Sequence, residues 1–337
     1  MASEANETVT LSLAEIRQLA EAVLTRAGMA ATGSAAIADL VMMSERDGIA
    51  SHGLRMLPAY AKSFASGYAN PDPNPQVSRT APAVLRGDGD NGYYQILRAM
   101  AEPDLIALAK DTGIAAFAAA NIHHLGALRF DTEPFAEAGL VALSVVNSLS
   151  MVVPHGGARP AFGTNPMSFA APRPGAAPIV WDQAASMVAL MDVRLAAAEG
   201  RQLSYPAGLD ADGAPSTDPE AILETGQLLP FGAHKGSAIA MMVEILGAAL
   251  AGGVLAVDNE ERLAHGGINI KGGATLIVLD PARFGQDRFG ETITRIVGEI
   301  EGNGAARVPG DGRLARRAAA DRDGVPVSAA LLSDLKA

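Results

Sequence analysis

Residues 114–146, IAAFAAANIHHLGALRFDTEPFAEAGLVALSVV, decide the fold class. The run 114–120 is short, apolar and bounded by turn-forming residues, which predicts a buried strand. Residues 133–138 carry helical spacing, and VALSVV at 141–146 is a second buried strand candidate. Strand, helix and strand in that order predict a parallel unit within an α/β protein. Further out, PIVWD at 178–182 and ATLIVL at 274–279 are additional strand candidates.

Helices flank this region. Ser12 and Glu15 have the spacing of a capping box, and Ile16, Leu19, Ala20, Val23 and Leu24 continue as an amphipathic helix that stops near Gly28. A second helix is expected over 33–46. GYANPDPNP at 67–75 and GDGDNGYYQ at 87–95 have turn chemistry and predict loops, and 154–178 predicts a long irregular segment. The strongest helical pattern covers 234–251, with Ile239, Met242, Val243, Leu246 and Leu250 on one face.

At 337 residues and 49% hydrophobic content the chain can bury a sizeable core, and 36 glycines with only 4% aromatics suit aliphatic packing between helices and sheets. A net charge of −11 without any block of Lys or Arg argues against a sequence-independent grip on nucleic acid or an anionic membrane. The absence of Cys removes disulfides and thiolate metal sites. MASEANETV lacks the basic start and apolar run of a secretory signal, and Glu244 interrupts the most apolar helix, so a cytoplasmic protein is expected.

Four segments hold residues suited to chemistry. Ser51-His52-Gly53 sets an imidazole beside a hydroxyl in a glycine-bounded segment; this reads either as a general acid or as a helix-end histidine bonded to backbone. His123-His124-Leu125-Gly126 follows a strand candidate, where α/β proteins present ligand contacts, but no Cys or suitably spaced carboxylate completes a metal site. Phe162-Gly163-Thr164-Asn165-Pro166 offers backbone N–H groups and a hydroxyl, and reads equally as a plain turn. Phe231-Gly232-Ala233-His234-Lys235-Gly236 opens the strongest helix, so free N–H groups, the helix dipole and Lys235 converge on a place for an anion such as a dinucleotide phosphate. The Rossmann fingerprint, the G-K-[ST] phosphate loop and the G-x-S-x-G elbow are all missing, so any dinucleotide binds on another fold.

SHGLRMLPAY at 51–60, GDGDNGYYQ at 87–95, HHLGAL at 123–128, PHGGARPAFGTNP at 154–166, LLPFGAHKG at 228–236 and RVPGDGR at 307–313 form one ordered set. Their order and spacing resemble the malate/L-lactate dehydrogenase family that lacks a Rossmann domain, from about Leu11 to the C-terminus. VNS at 146–148, VPHG at 153–156 and FGAHKGSAIAMMVE at 231–244 resemble its piperideine-2-carboxylate and pyrroline-2-carboxylate reductase branch.

The resemblance implies a homodimer with the family's own sulfolactate/malate dehydrogenase-like α/β fold and helical N- and C-terminal segments. It implies a helical segment over 1–45 packing with the C-terminus, a catalytic domain over 46–118 completed by part of 305–337, and a dinucleotide-binding domain over 119–300. It implies cofactor contacts from His124, Leu125, Gly126, Ala127 and Leu128, from Asp182, Gln183 and Ala184, from His234 and Lys235, and from Arg307, Gly310 and Arg313. Thr164 would meet substrate, and Ser51, His52 and Asp192 would form a relay in which His52 supplies the proton. A carboxylate partner such as Asp192 would raise the imidazole pKa.

Two departures from the family pattern stand out. The arginine expected five residues after the serine is Met56 here, with Arg55 one position earlier, and the His-Gly pair before the relay aspartate is Leu190-Met191. Both exchange polar or open space for flexible apolar bulk, which predicts a pocket suited to larger or more apolar substrates with a weaker demand for an α-carboxylate. The expected activity is reduction of a cyclic imine or imino acid, extending to reductive amination of 2-oxo acids, with NADP as cofactor and NAD as the other candidate. The rivals are a 2-hydroxy-acid dehydrogenase using the same His52, a serine hydrolase built on Ser51, His52 and Asp192, and a non-catalytic ligand-binding protein. Adjacent Ser and His seldom reach nucleophile–base geometry, which counts against the hydrolase.

Overall fold

The computed structural model describes residues 7–123, 126–267, 269–285 and 287–337. A seven-stranded sheet runs in the order Gln76–Ala81, Val84–Tyr93, Ile114–His123, Ala274–Leu279, Val141–Val146, Met167–Ala171, Ile179–Gln183. The strands at 114–123 and 141–146 run parallel, as expected, but they do not touch. The 274–279 strand lies between them and pairs antiparallel with both, Ala274 opposite Ala119 on one side and Val146 on the other. ATLIVL suits that central place because, apart from Thr275, whose hydroxyl donates to Leu246 O, its side chains are apolar on both faces and most are buried. The directly parallel pair is 84–93 with 114–123, joined by the helix Tyr94–Thr112. That helix lays Leu97, Ala101, Leu105 and Leu108 against Phe117, Leu276 and Val278, forming the main core.

A second core joins the chain's two ends. The strand Thr8–Leu11 pairs antiparallel with Val325–Ser328, and Ile16, Leu24, Ile37 and Val41 pack with Val327, Leu332 and Leu335. The capping box is present: Glu15 N–H donates to Ser12 Oγ at 3.2 Å, and Ser12 N–H donates to Glu15 Oε2 at 2.8 Å. The second helix begins slightly earlier than expected, at Ala31, and ends at Arg46. The large sheet runs through residues 118 and 119, where a domain boundary was expected.

Three local expectations change. GDGDNGY is strand rather than loop, because its turn residues serve as an irregularity between Asp88 and Gly92, with Asp90 at φ 50° and Asn91 at φ 58°. Gly87 is required there, since a Cβ would lie 2.7 Å from the Phe117 ring. The segment expected to be irregular over 154–178 contains the sheet strand Met167–Ala171, held by pairing on both sides. The single helix expected over 234–251 is α-helical for His234–Glu244 and widens to a π-helix for Ile245–Leu250. Its buried face consists of Gly236, Ala240, Val243, Glu244, Gly247 and Ala248, while Leu250 is exposed. Close packing against Gly273 and Asn147 leaves no room for a side chain at Gly247, where a Cβ would lie 2.7 Å from Gly273 O. No helix among the described residues is long and apolar enough to cross a membrane.

Candidate active site

The helix Ala31–Arg46 ends at Asp47, and two 3-10 turns follow, Ala50–His52 and Leu54–Met56. Glu45 braces them from beneath, its Oε1 accepting Leu54 N–H at 2.8 Å. Gly53 is required in the turn because a Cβ there would come within 2.1 Å of that carboxylate. Ser51 Oγ and His52 Nδ1 are hydrogen-bonded at 2.9 Å. Desolvation, and then the Arg129 guanidinium, push the imidazole down to about 4. This is opposite to the direction expected from a carboxylate partner, because burial first and then an arginine act on the ring.

Asp47 anchors the turn to the rest of the molecule. Its carboxylate is fully buried and accepts from Arg129 Nη2 at 2.6 Å, Arg317 Nε at 2.7 Å and Arg46 Nε at 3.0 Å. Arg317 also donates to both oxygens of Glu133, at 2.6 and 2.7 Å. These cations hold the Asp47 carboxyl at about 2 against the desolvation that would raise it.

The expected cofactor residues fall into two neighbouring groups. In the first, Asp182 at the end of the 179–183 strand accepts the backbone N–H of Arg129 at 3.2 Å, which seats the Gly126, Ala127 and Leu128 loop on the strand. Arg313 donates to Val180 O at 2.9 Å, and Gly310, at φ 99°, lies against the same carbonyl. In the second, Ala185 is a backbone junction: its N–H donates to Thr164 O at 2.7 Å and its carbonyl accepts Phe231 N–H at 3.0 Å. Thr164, Gln183 and Ala184 thereby come together with the turn before His234 and Lys235. Ala233 in that turn holds φ 56° and ψ −119°, a strained conformation for a residue with a side chain.

A cleft of about 460 Å³ is lined by Gln183, Ala184, Met187, Asp192, Tyr205 and Phe231 among others. Asp192 is exposed in the first turn of the helix Leu190–Ala198. Leu190 packs in the small core around Val152, Val193 and Leu228, and Met191 Sδ lies 3.6 Å from Arg194 Nη1. Met56 packs against the N-terminal core, whereas Arg55 is exposed and acts electrostatically on Glu45. Arg307 is exposed. His124 and Leu125 lie outside the described residues. His123 is buried, with Nε2 at 2.7 Å from Asn91 Oδ1 and its ring 4.9 Å from that of Tyr68.

Sequence reasoning missed two buried polar hubs. One is the Asp47, Arg129, Glu133 and Arg317 network. The other is Glu244, which accepts from Asn147 Nδ2 at 3.1 Å, Asn165 Nδ2 at 2.9 Å and Ala256 N–H at 2.7 Å. Asn165 in turn accepts Ser148 N–H at 3.1 Å, and Ser148 Oγ lies 3.1 Å from Thr164 Oγ1. A carboxylate inside an apolar helix was the available signal for this second hub, since such a group is buried only when satisfied.

The malate/L-lactate dehydrogenase family model matches residues 11–336. The chain is 42% identical over 335 residues to the Δ1-pyrroline-2-carboxylate/Δ1-piperideine-2-carboxylate reductase of Pseudomonas putida, covering 99% of this chain and 98% of that one. It is 37% identical to a Δ1-pyrroline-2-carboxylate reductase of Burkholderia ambifaria over 99% of this chain and 98% of that one. The crystal structure of Δ1-piperideine-2-carboxylate reductase from Pseudomonas syringae superposes with a TM-score of 0.94 at 41% identity, covering 98% of this chain and 99% of that one. The sulfolactate dehydrogenase of Methanocaldococcus jannaschii gives a TM-score of 0.86 at 25% identity, covering 97% of this chain and 96% of that one. With a family model spanning nearly its whole length and relatives this similar end to end, the chain belongs to the malate/L-lactate dehydrogenase family.

Proposed function

We propose that this protein reduces the C=N bond of cyclic imino acids of the piperideine-2-carboxylate and pyrroline-2-carboxylate type, with NADPH as hydride donor and NADH as the less favoured alternative. The carrying observation is the Ser51–His52 pair, held at 2.9 Å on a turn braced by Glu45, in a chain so similar to reductases of that name. With Ser51 donating to Nδ1, the neutral imidazole keeps its proton on Nε2. A bound nicotinamide supplies the hydride to the imine carbon. The substrate nitrogen then needs a proton, which His52 gives as the imidazolium, returning to the neutral ring. Desolvation and Arg129 disfavour the imidazolium; a substrate carboxylate entering beside the ring supplies the opposite charge that favours it. Ser51 orients the ring, and Asp192 stands on the wall of the cleft lined by Gln183, Ala184 and Phe231.

The residues fit a dinucleotide. The strained Ala233 turn presents the first backbone N–H groups of the 234–244 helix beside the exposed Lys235, an arrangement suited to a phosphate. The cleft beside Gln183, Ala184 and Phe231 adjoins it, and in the 179–183 strand Asp182 precedes Gln183 directly while Gly310 and Arg313 lie at Val180 O. Arg313 and Lys235 are cations able to meet the 2′-phosphate, which favours NADPH.

Met56 belongs to the same reading. Its side chain is packed into the N-terminal core, so carboxylate recognition falls to the exposed Arg55 or is weakened. Met56→Arg is expected to raise the kcat/KM ratio of an imino acid over a carboxylate-free cyclic imine about tenfold, in line with the ~1.5–3 kcal/mol of a charge-assisted hydrogen bond. Steady-state kinetics on the two substrates checks this, and an unchanged ratio would contradict it.

The protein acts as a cytoplasmic homodimer in this proposal. Met241, Ile245, Leu250, Leu255, Val257 and Leu263 are all large apolar side chains between 45% and 62% exposed within one stretch of chain, the kind of surface a second copy covers. Light scattering after gel filtration is expected to give twice the chain mass, falling to a single chain for Ile245→Asp. A monomeric wild type would overturn this part of the reading.

A further inference from the structure

We propose that Arg129 is a positioning residue that ties the dinucleotide loop to the His52 turn, so that an anion arriving at the loop is felt at the imidazole. This rests on the reading of His52 given above. Arg129 opens the helix Arg129–Glu137, directly after Ala127 and Leu128. Its backbone N–H donates to Asp182 Oδ2 at 3.2 Å, which fixes the loop to the end of the 179–183 strand. Its guanidinium, 1% exposed, donates to Asp47 Oδ2 through Nη2 at 2.6 Å and Nε at 3.1 Å, and lies 4.2 Å from the Phe130 ring centre. Asp47 is five residues before His52 in the segment leading into the catalytic turn. One residue therefore grips the cofactor strand with its backbone and the catalytic segment with its side chain.

The charges around this contact make it more than a staple. Arg46 and Asp47 come from the 31–46 helix and its cap, Arg129 and Glu133 from the 129–137 helix, Asp182 from the strand, and Arg313 and Arg317 from the helix Asp311–Asp323. Glu45 lies under the turn, and Arg55 acts on Glu45 from beyond it. The four arginines of the network face the carboxylates of Asp47, Glu133 and Asp182, with Asp131 and Arg98 acting beside Asp182, and Arg129 is the member that acts on His52. A cation beside an imidazole disfavours its protonated form, and an anion seated nearby offsets that cation. Removing the guanidinium should leave the fold standing, because Asp47 keeps Arg317 at 2.7 Å and Arg46 at 3.0 Å.

The test uses the full-length protein in two measurements. Histidine-ring NMR titration of the cofactor-free protein, with His52 assigned by its loss in His52→Gln, is expected to show the midpoint rising by about one pH unit or more in Arg129→Met. Arg129→Lys, which retains the charge, should keep the midpoint low. Calorimetry with NADPH is expected to give about tenfold weaker binding for Arg129→Met. Arg129→Gln supplies the same readings if the methionine variant is poorly folded. An unchanged midpoint overturns the link to His52, and an unchanged NADPH affinity overturns the link to the loop. If His52 were not the proton donor, His52→Gln would retain its kcat while the titration shift in Arg129→Met still appeared, so the two failures are distinct.

Discussion

Replacing His52 with glutamine is expected to lower kcat for a cyclic imino acid by about 10²–10⁴-fold, the range that a positioned general acid contributes. The amide can still hydrogen-bond Ser51, and the turn remains braced through Glu45 and Leu54, so melting temperature and NADPH affinity should change little. That separation matters, because a loss confined to kcat marks an interaction made in the transition state. A kcat within about threefold of the wild type would remove His52 from the chemistry.

The largest effect on stability is expected at Asp47. Asp47→Ala takes the ion-paired carboxylate from Arg129, whose side chain is 1% exposed, and leaves that charge in the core. Breaking a buried pair on one side typically costs about 3–5 kcal/mol. Chemical denaturation should show a drop of that size, with Asp47→Asn intermediate because it keeps an acceptor without the charge. The pH dependence has a definite sign. Asp47 has a folded-state value of about 2, below its ordinary 3.8, so its contribution is present above 3.8 and is lost as pH falls toward 2. Wild-type stability should therefore fall across that window, and Asp47→Asn should lack that component. Equal stability of the alanine variant and the wild type at pH 7 would mean that the network contributes nothing.

The fold was legible where local pattern determines it. The strands at 114–123 and 141–146 and the Ser12 capping box follow from apolar runs and capping chemistry. The central position of ATLIVL was not legible, because which strand separates two others depends on contacts between residues far apart in the chain. GDGDNGY misleads for the same reason: its residues favour turns, and only pairing with the 114–123 strand reveals a bulge. At the candidate site, Ser51, His52 and the segments expected to meet cofactor stood out as an ordered set of motifs, and the structure joins Ser51 to His52. Arg129 and Arg317 were not, since their partner Asp47 is 82 and 270 residues away and no short-range spacing encodes either contact. Glu244 was visible only as a charge in an apolar helix, and its role emerges once Asn147, Asn165 and Ala256 are seen around it.

The most direct test of the proposed activity follows NADPH absorbance in the presence of Δ1-piperideine-2-carboxylate, Δ1-pyrroline-2-carboxylate, pyruvate and oxaloacetate supplied separately at equal concentration. Rapid oxidation with the two cyclic imino acids, and a rate at least about a hundredfold lower with the 2-oxo acids, is the expected result. Oxidation driven by a 2-oxo acid alone, with the imino acids inert, would contradict it and assign the site to 2-hydroxy-acid chemistry.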